Sequence, residues 1–338
     1  MCRMILKKKS RSSRASILII ALWSVSLLTT LAVILGFEVR QKLVLVKRLD
    51  ERDSGRLIAE AGVKKAIAEL ALEPTEKFDS LNQRWSNNLN AFQEIQVGKG
   101  RFSVSYETGF GEARFGLTDE ESKININRVD AGVLERLFRL CGFEEFEAQD
   151  LAFSIIDWRD ADSELYSPSG GAEDSYYRLL PSPYEAKDAP FQVIDELLLV
   201  KGVDESIFQK IKNYITIYGN GRVNINTATK PVLMSLGYSE NIVDRIIAFR
   251  NGKDDLPGTA DDNFFENIDD IAVKLGDAAN LSQAEQATIT NINSLGLVTS
   301  RSANFTVKSR ATLNRSKFVY EVICVVTRKG KILYWNES

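Results

Sequence analysis

From Ala15 to Phe37 the chain carries no charged residue, and the fourteen residues before that run hold six basic ones: Arg3, Lys7, Lys8, Lys9, Arg11 and Arg14. An α-helix rises about 1.5 Å per residue, so the run reaches roughly 34 Å, enough to cross a bilayer core of about 30 Å. It is longer than the apolar core of a secretory signal, about 7–15 residues. Basic flanks stay on the cytoplasmic side, which places the bulk of the chain outside. Beyond Glu38 the chain turns polar without losing helical spacing. Val39, Leu43, Val46, Leu49, Leu57, Ile58, Ala61, Val63, Ile67 and Leu70 recur every three or four residues. Gly36, Gly55 and Gly62 weaken this pattern without ending it, and Pro74 closes it. One helix from residue 16 to 72, membrane-compatible over 16–37, is the expectation.

The net charge of −3 falls to near −9 once the six basic residues of the leader are set aside. That balance disfavours a general nucleic-acid surface. The chain has no histidine, which removes imidazole acid–base chemistry and imidazole metal ligands. Of the three cysteines, Cys141 and Cys324 lie beyond the leader in apolar surroundings. Two separate core thiols are expected, with a disulfide in an oxidising compartment as the alternative.

The middle of the chain repeats itself. Lys123-Ile-Asn-Ile-Asn127 and Arg222-Val-Asn-Ile-Asn226 each lead into a helical stretch that ends at a glycine, Gly142 or Gly237. A second helical stretch then closes on Ile155-Ile-Asp-Trp-Arg159 or Ile246-Ile-Ala-Phe-Arg250. An acidic loop follows, then Phe191-Gln-Val-Ile-Asp-Glu-Leu197 or Phe265-Glu-Asn-Ile-Asp-Asp-Ile271. Such self-similarity marks one supersecondary unit used twice, with Asn127 and Asn226 expected near helix starts. Each unit resembles a helix-hairpin-helix, or SAM-like, module, and the second also resembles exported competence-type DNA receptors. A membrane-anchored DNA-binding protein is therefore the alternative reading. Against it, the hairpin loops at Gly142, Gly202 and Gly237 place carboxylates where phosphate would sit.

The acidic loops gather hard oxygen donors. Asp157, Asp160, Asp162 and Glu164 precede Gly170-Gly-Ala-Glu173-Asp174 in the first; Asp254, Asp255, Asp261 and Asp262 fill the second. Neither has EF-hand spacing, so spacing alone leaves a solvated loop and a cation site both open. Paired carboxylates also occur in glycosidases, but no barrel or sandwich pattern and no nucleophile–base constellation accompanies them. A structural role rather than an enzymatic one is expected.

Taken together, the basic leader, Ala15, the apolar helix with Trp23 and the stretch Ala59-Glu-Ala-Gly-Val-Lys-Lys-Ala-Ile-Ala-Glu-Leu70 resemble the class III signal of type IV pilin-like proteins. The string Asp157-Trp-Arg-Asp160-Ala-Asp162 with Gly171-Ala-Glu173-Asp174-Ser-Tyr-Tyr177 is similar to the type II secretion minor pseudopilin K family, also called general secretion pathway protein K. The resemblance implies cleavage by a prepilin peptidase between Ala15 and Ser16, with alanine where the family usually has glycine. Ile20 stands where most pilins carry glutamate, as is typical of K-family members. A tip subunit has no neighbour above to neutralise such a carboxylate, and an unpaired one is expensive in hydrocarbon.

The implied fold is α+β: a pilin-like N-terminal helix on an antiparallel sheet, with a large inserted α-domain of two helix-hairpin-helix/SAM-like repeats. The expected divisions are the leader 1–15, helix 16–72, a β region 73–122, the α-domain 123–300 (repeats 123–218 and 222–293) and C-terminal strands 301–338. The alternating segments at 102–106, 113–117, 305–313, 318–326 and 331–335 supply the strands. The resemblance further implies calcium, with Asp160, Asp162, Glu173 and Asp174 as ligands and Asp255, Asp261 and Asp262 at a weaker second site. Implied partners are the minor pseudopilins I and J, the major pseudopilin filament, prepilin peptidase and the bacterial inner membrane. The α-domain is expected to reach secreted cargo or the outer-membrane secretin, and no nucleic acid is expected. The implied topology is single-pass, N-terminus cytoplasmic and bulk periplasmic.

Overall fold

The computed structural model describes residues 13–73, 77–108, 113–279, 281–314, 316 and 318–338. Most of the basic leader and the expected helix stop at Pro74 lie outside these residues.

Helix α1 (Ser13–Ala71) is unbroken over 59 residues, about 88 Å at 1.5 Å per residue. It has two halves with different environments. The apolar side chains from Ile17 to Leu49 are exposed, and none of the most apolar window, of mean hydropathy 2.5, is buried among the described residues. This is the one helix among the described residues long and apolar enough to cross a membrane. Further along, Gly55, Ile58, Ala59, Gly62, Val63, Ala66 and Leu70 form a buried stripe at helical spacing. Gly55 and Gly62, expected to weaken the helix, are where the sheet approaches it most closely. A Cβ on Gly62 would lie 2.9 Å from the Phe102 ring and would strike the Ser309 hydroxyl; one on Gly55 would lie 2.9 Å from Tyr320 Cβ. Ser309 Oγ also donates to the Ala59 carbonyl at 2.8 Å.

After α1 come α2 (Leu89–Phe92), the hairpin β1 (Ile95–Val97) and β2 (Gly100–Val104), the short ladder β3 (Tyr106–Glu107) with β4 (Ala113–Arg114), and β5 (Thr118–Asp119). Only two residues of the expected 113–117 strand pair.

Two similar halves follow. The first contains β6 (Ile124–Asn125), α3 (Ala131–Leu140), α4 (Glu145–Arg159), α5 (Asp174–Tyr177), α6 (Glu205–Ile211) and β7 (Ile215–Thr216). The second contains β8 (Val223–Asn224), α7 (Lys230–Ser235), α8 (Glu240–Arg250), α9 (Ile271–Ala279), α10 (Gln283–Ser294) and β9 (Val298–Thr299). Each half opens and closes on a parallel pair, Ile124 beside Ile215 and Val223 beside Val298, which ties its ends together. The second half thus runs to Thr299, past the expected boundary at 293. The halves share one hydrophobic core, and Arg136 Nε from α3 donates to the Ser235 carbonyl of α7 at 2.7 Å. Asp130 caps α3 by accepting from Val133 N at 2.9 Å, and Thr229 precedes α7. Asn127 and Asn226 therefore cap neither helix.

The chain returns as β10 (Asn304–Leu313), β11 (Val319–Thr327) and β12 (Ile332–Glu337). These complete an antiparallel sheet in the order β1-β2-β10-β11-β12, with β5 also paired to β10. Asp119 lies opposite Phe305 in that last pairing, so the strands before and after the helical halves are neighbours. The helical block is an excursion from one sheet. A second core forms where α1 crosses the sheet, around Val63, Leu70, Trp85, Phe102, Phe305 and Tyr320. The thiols stay separate: Cys141 is half-buried and Cys324 buried, both free.

A buried polar joint connects the two cores. Asp119 Oδ2 accepts from Thr227 Oγ1 at 2.5 Å, Ser302 Oγ at 2.6 Å and Asn224 Nδ2 at 3.1 Å. Glu120 accepts from Lys123 Nζ at 2.6 Å, Thr216 Oγ1 at 2.5 Å and Thr306 Oγ1 at 2.6 Å. Glu121 accepts from Asn304 N at 3.1 Å and Nδ2 at 2.8 Å. Buried carboxylates persist only when they are hydrogen-bonded or paired in this way.

Candidate metal centre

The first acidic loop is laid against α4 by side chains of that helix. Asp157, buried on the last turn, accepts from Tyr166 N with one oxygen and from Ala172 N with the other, both at 2.8 Å. Asp150, two turns earlier, accepts from Gly171 N at 3.0 Å and from Lys201 Nζ at 2.9 Å. Gly171 has φ +104°, and a Cβ there would collide with the Asp157 carboxylate. Beneath the loop, Trp158 and Tyr177 meet edge to face at 5.2 Å, and Tyr177 stacks on Tyr184 at 5.2 Å. Of the motif's aromatic residues, Trp158 and Tyr177 are buried and Tyr176 is exposed.

On this frame Asp160, Asp162 and Glu173 each bring a carboxylate oxygen to within 4.8 Å of the others. Asp160 follows the last turn of α4, Asp162 stands in the loop, and Glu173 is the residue before α5. Among the described residues, Asp160 Oδ1 and Glu173 Oε1 are buried oxygens without a hydrogen-bond partner. Burial, and then the neighbouring carboxylates Asp162 and Asp157, push Asp160 up to about 6. Burial, then Asp157 and Asp160, push Glu173 up to about 7. Orphaned hard oxygens in a field of like charge fit a divalent cation, and calcium takes six to eight oxygens at about 2.3–2.6 Å.

Asp174 does not join this cluster. Its Oδ1 accepts from Ala186 N at 2.9 Å and its Oδ2 from Arg178 Nη2 at 2.7 Å, so it braces the far side of the loop. In the second loop the residues that converge are Asp254, Asp261 and Asp262. Asp255, expected in that set, has φ +56° and turns toward Asn251, whose Nδ2 donates to its carbonyl at 3.2 Å.

The second loop also differs in how its oxygens are occupied. Asp261 Oδ2 accepts from Lys253 N at 2.7 Å, and its Oδ1 from Thr259 Oγ1 at 2.8 Å. These bonds, the Thr259 one foremost, hold Asp261 down at about 2. Asp262 accepts from Gly258 N at 2.6 Å and Thr259 N at 3.2 Å. Its carboxylates already have donors, whereas the first loop leaves two oxygens without any. Loop bracing by Asp150 and Asp157 was not legible from motif spacing, because both lie on the helix and act across it. Ala15 and Ser16 lie within α1, Ser16 exposed.

Residues 88–220, which contain this first centre, match the family model for type II secretion system (T2SS) protein K. Over that stretch the chain is similar to the type II secretion system protein K family. It is 28% identical over 198 residues to the type II secretion system protein K of Pseudomonas aeruginosa, covering 56% of this chain and 57% of that one. It is 29% identical over 150 residues to that of Pectobacterium carotovorum subsp. carotovorum, and 38% identical over 86 residues to that of Aeromonas hydrophila. These matches cover 38% and 25% of this chain, and 45% and 26% of the relatives. The chain thus spans between about a quarter and little more than half of the length of these curated relatives. Its fold is similar to that of a chain in the crystal structure of the GspK–GspI–GspJ complex of the enterotoxigenic Escherichia coli type 2 secretion system. There the TM-score is 0.66 at 19% identity, covering 87% of this chain and 99% of the other. The two chains therefore share the mixed architecture of a long N-terminal helix and an antiparallel sheet. The matched stretch takes in Asp160, Asp162 and Glu173 and ends before the second acidic loop.

Proposed function

We propose that this chain is a minor pseudopilin at the tip of the type II secretion pseudopilus, a structural part of the machine that exports folded proteins across the outer membrane. The observation that carries this reading is α1 itself: one continuous rod, bare and apolar over its first half and fused to a sheet core over its second. A membrane anchor alone needs no such rigid continuation. The helical excursion adds bulk that an ordinary filament subunit does not need, and Ile20 leaves no carboxylate to be neutralised by a subunit above. We read its two halves as SAM-like modules.

The partners follow from the same surfaces. Val39, Leu43, Val46 and Leu49 are exposed along α1 and form the stripe on which the minor pseudopilins I and J and the major filament would pack. Prepilin peptidase would cut between Ala15 and Ser16, from an inner-membrane form with cytoplasmic N-terminus and periplasmic bulk. The α-domain would face secreted cargo or the secretin. Glu144, Glu145 and Glu147 are exposed at the first hairpin, which disfavours the DNA-binding alternative.

Calcium is the cation proposed for the first loop, held by Asp160, Asp162 and Glu173, where it would neutralise the cluster and fasten the loop to α4. The group Asp254, Asp261 and Asp262 is proposed as the weaker site.

Mass measurement and N-terminal sequencing of the membrane form test the pilin reading. A mature chain beginning at a methylated Ser16 is expected, and an intact Met1 would overturn it. Co-purification with pseudopilins I and J tests the tip complex.

A further inference from the structure

The two acidic loops are closed by one side-chain device that occurs twice. Asn127 folds its carboxamide onto the main chain of Phe191: Nδ2 donates to the carbonyl at 2.9 Å and Oδ1 accepts from the N–H at 2.8 Å. Asn226 does the same to Phe265, at 3.0 and 2.8 Å. Each clasping asparagine is oriented by the asparagine two residues before it: Asn125 Oδ1 accepts from Asn127 N at 2.9 Å, and Asn224 Oδ1 from Asn226 N at 3.0 Å. The other end of each loop is held by an arginine. Arg159, the last residue of α4, donates to the carbonyls of Ile126 and Val129. Arg250, the last residue of α8, donates to those of Ile225 at 3.2 Å and Ala228 at 2.7 Å. In both halves these are the carbonyls one residue before and two residues after the clasping asparagine.

The residue that begins each acidic loop and the residue that ends it are thus tied to the same short segment, 125–129 in one half and 224–228 in the other. Loop 160–190 holds the carboxylates of the first centre, and loop 251–264 those of the second. None of the four clamping side chains belongs to either carboxylate group.

We propose that Asn127 and Arg159 are positioning residues for the first cation site: by closing loop 160–190 in advance, they set how tightly a divalent cation is held. Three carboxylates that repel one another spread apart in a loop free to open, and a cation must then supply the closure. Pinning both ends removes much of that conformational entropy before binding. The proposal rests on the calcium reading above. In the second half the same clamp closes a loop whose carboxylates already accept from main-chain N–H groups and Thr259, so Asn226 serves as the internal control.

The test uses the full-length protein in detergent micelles, with calcium chloride as the titrant and a competing fluorescent chelator as the reporter. Asn127→Ala is expected to weaken calcium binding at the tighter site by about tenfold or more, the scale of losing a two-bond side-chain clasp. Asn226→Ala, which unclasps the loop of the other half, should leave that site within about twofold of wild type. Amide hydrogen exchange in EDTA supplies a second readout: Asn127→Ala should speed exchange in 160–190 alone, and Asn226→Ala in 251–264 alone. Should Asn127→Ala fail to fold, Arg159→Lys keeps the charge, removes the two-carbonyl fork and should weaken calcium in the same direction. Wild-type affinity in the Asn127→Ala or Arg159→Lys protein overturns the proposal, as does faster exchange spread alike over the whole α-domain in both alanine variants. A wild-type protein that binds no calcium sinks the cation reading itself, a distinct result.

Discussion

Thr227 Oγ1 donates a 2.5 Å hydrogen bond to Asp119 Oδ2, and that contact joins the second helical half to the last strand before the chain leaves the sheet. Asp119 Oδ2 accepts from Ser302 and Asn224 as well, so one buried carboxylate receives donors from the second half and from the chain returning to the sheet. Replacing Asp119 with alanine removes an acceptor shared by three buried donors and should lower unfolding stability by about 3 kcal/mol or more. Thr227→Val removes a single bond and should cost about 1–2 kcal/mol. Urea unfolding measures both, and equal losses for the two variants would contradict the shared-acceptor role.

The same joint predicts a pH dependence. Burial, then the charge of Asp119, push Glu121 up to about 8 from its ordinary 4.5, and burial also raises Asp119. A carboxyl with a raised folded-state pKa holds its proton more tightly folded than unfolded. Unfolding therefore releases a proton between about pH 4.5 and 8, and stability is lost as pH rises through that window. Glu121→Gln cannot titrate, so the wild-type curve should fall relative to the variant's over that range. Melting temperatures of the two proteins that run parallel from about pH 5 to 8 would count against it.

The glycines of α1 should behave oppositely according to what faces them. Nothing lies within 4 Å of a Cβ added at Gly36, so Gly36→Ala should leave the fold intact and favour the helix by about 0.5–1 kcal/mol. Gly62→Ala pushes into Phe102 and Ser309 and should destabilise by about 1–3 kcal/mol. Thermal unfolding in micelles distinguishes them.

Ligand assignment at the first loop is separable from loop bracing. Glu173→Gln should abolish high-affinity calcium binding, because it removes charge from a buried oxygen that has no other partner. Asp174→Asn should retain most of the affinity while loosening the contact to Arg178. Calcium at about a hundred times its dissociation constant should stabilise the wild type by about 2.7 kcal/mol, and chelation should reverse the gain. Calorimetry that finds Asp174→Asn as damaging as Glu173→Gln would restore Asp174 to the ligand set.

Much of this architecture was legible along the chain. The uncharged run and its amphipathic continuation foretold α1 because helical burial follows a local 3.6-residue period. The paired Asn-Ile-Asn segments, the glycines after α3 and α7 and the arginines ending α4 and α8 foretold two similar halves, since one supersecondary unit used twice leaves matching residues in register. The roles inside those motifs were less legible. Asn127 and Asn226 look like helix caps, yet they clasp Phe191 and Phe265, 64 and 39 residues onward, which no local rule reports.

By itself, the sequence determined the elements and their repetition, which depend on periodicity and on neighbouring residue types. Only the tertiary structure decided which carboxylates meet. Asp160 and Glu173 converge because Asp150 and Asp157 fold the loop onto α4, while Asp174, next in sequence, points at Ala186 and Arg178. Asp254 enters the second group and Asp255 leaves it, because left-handed backbone at Asp255 turns that side chain away. Side-chain direction follows from backbone dihedrals and from contacts distant along the chain, and both are set only when the chain has folded.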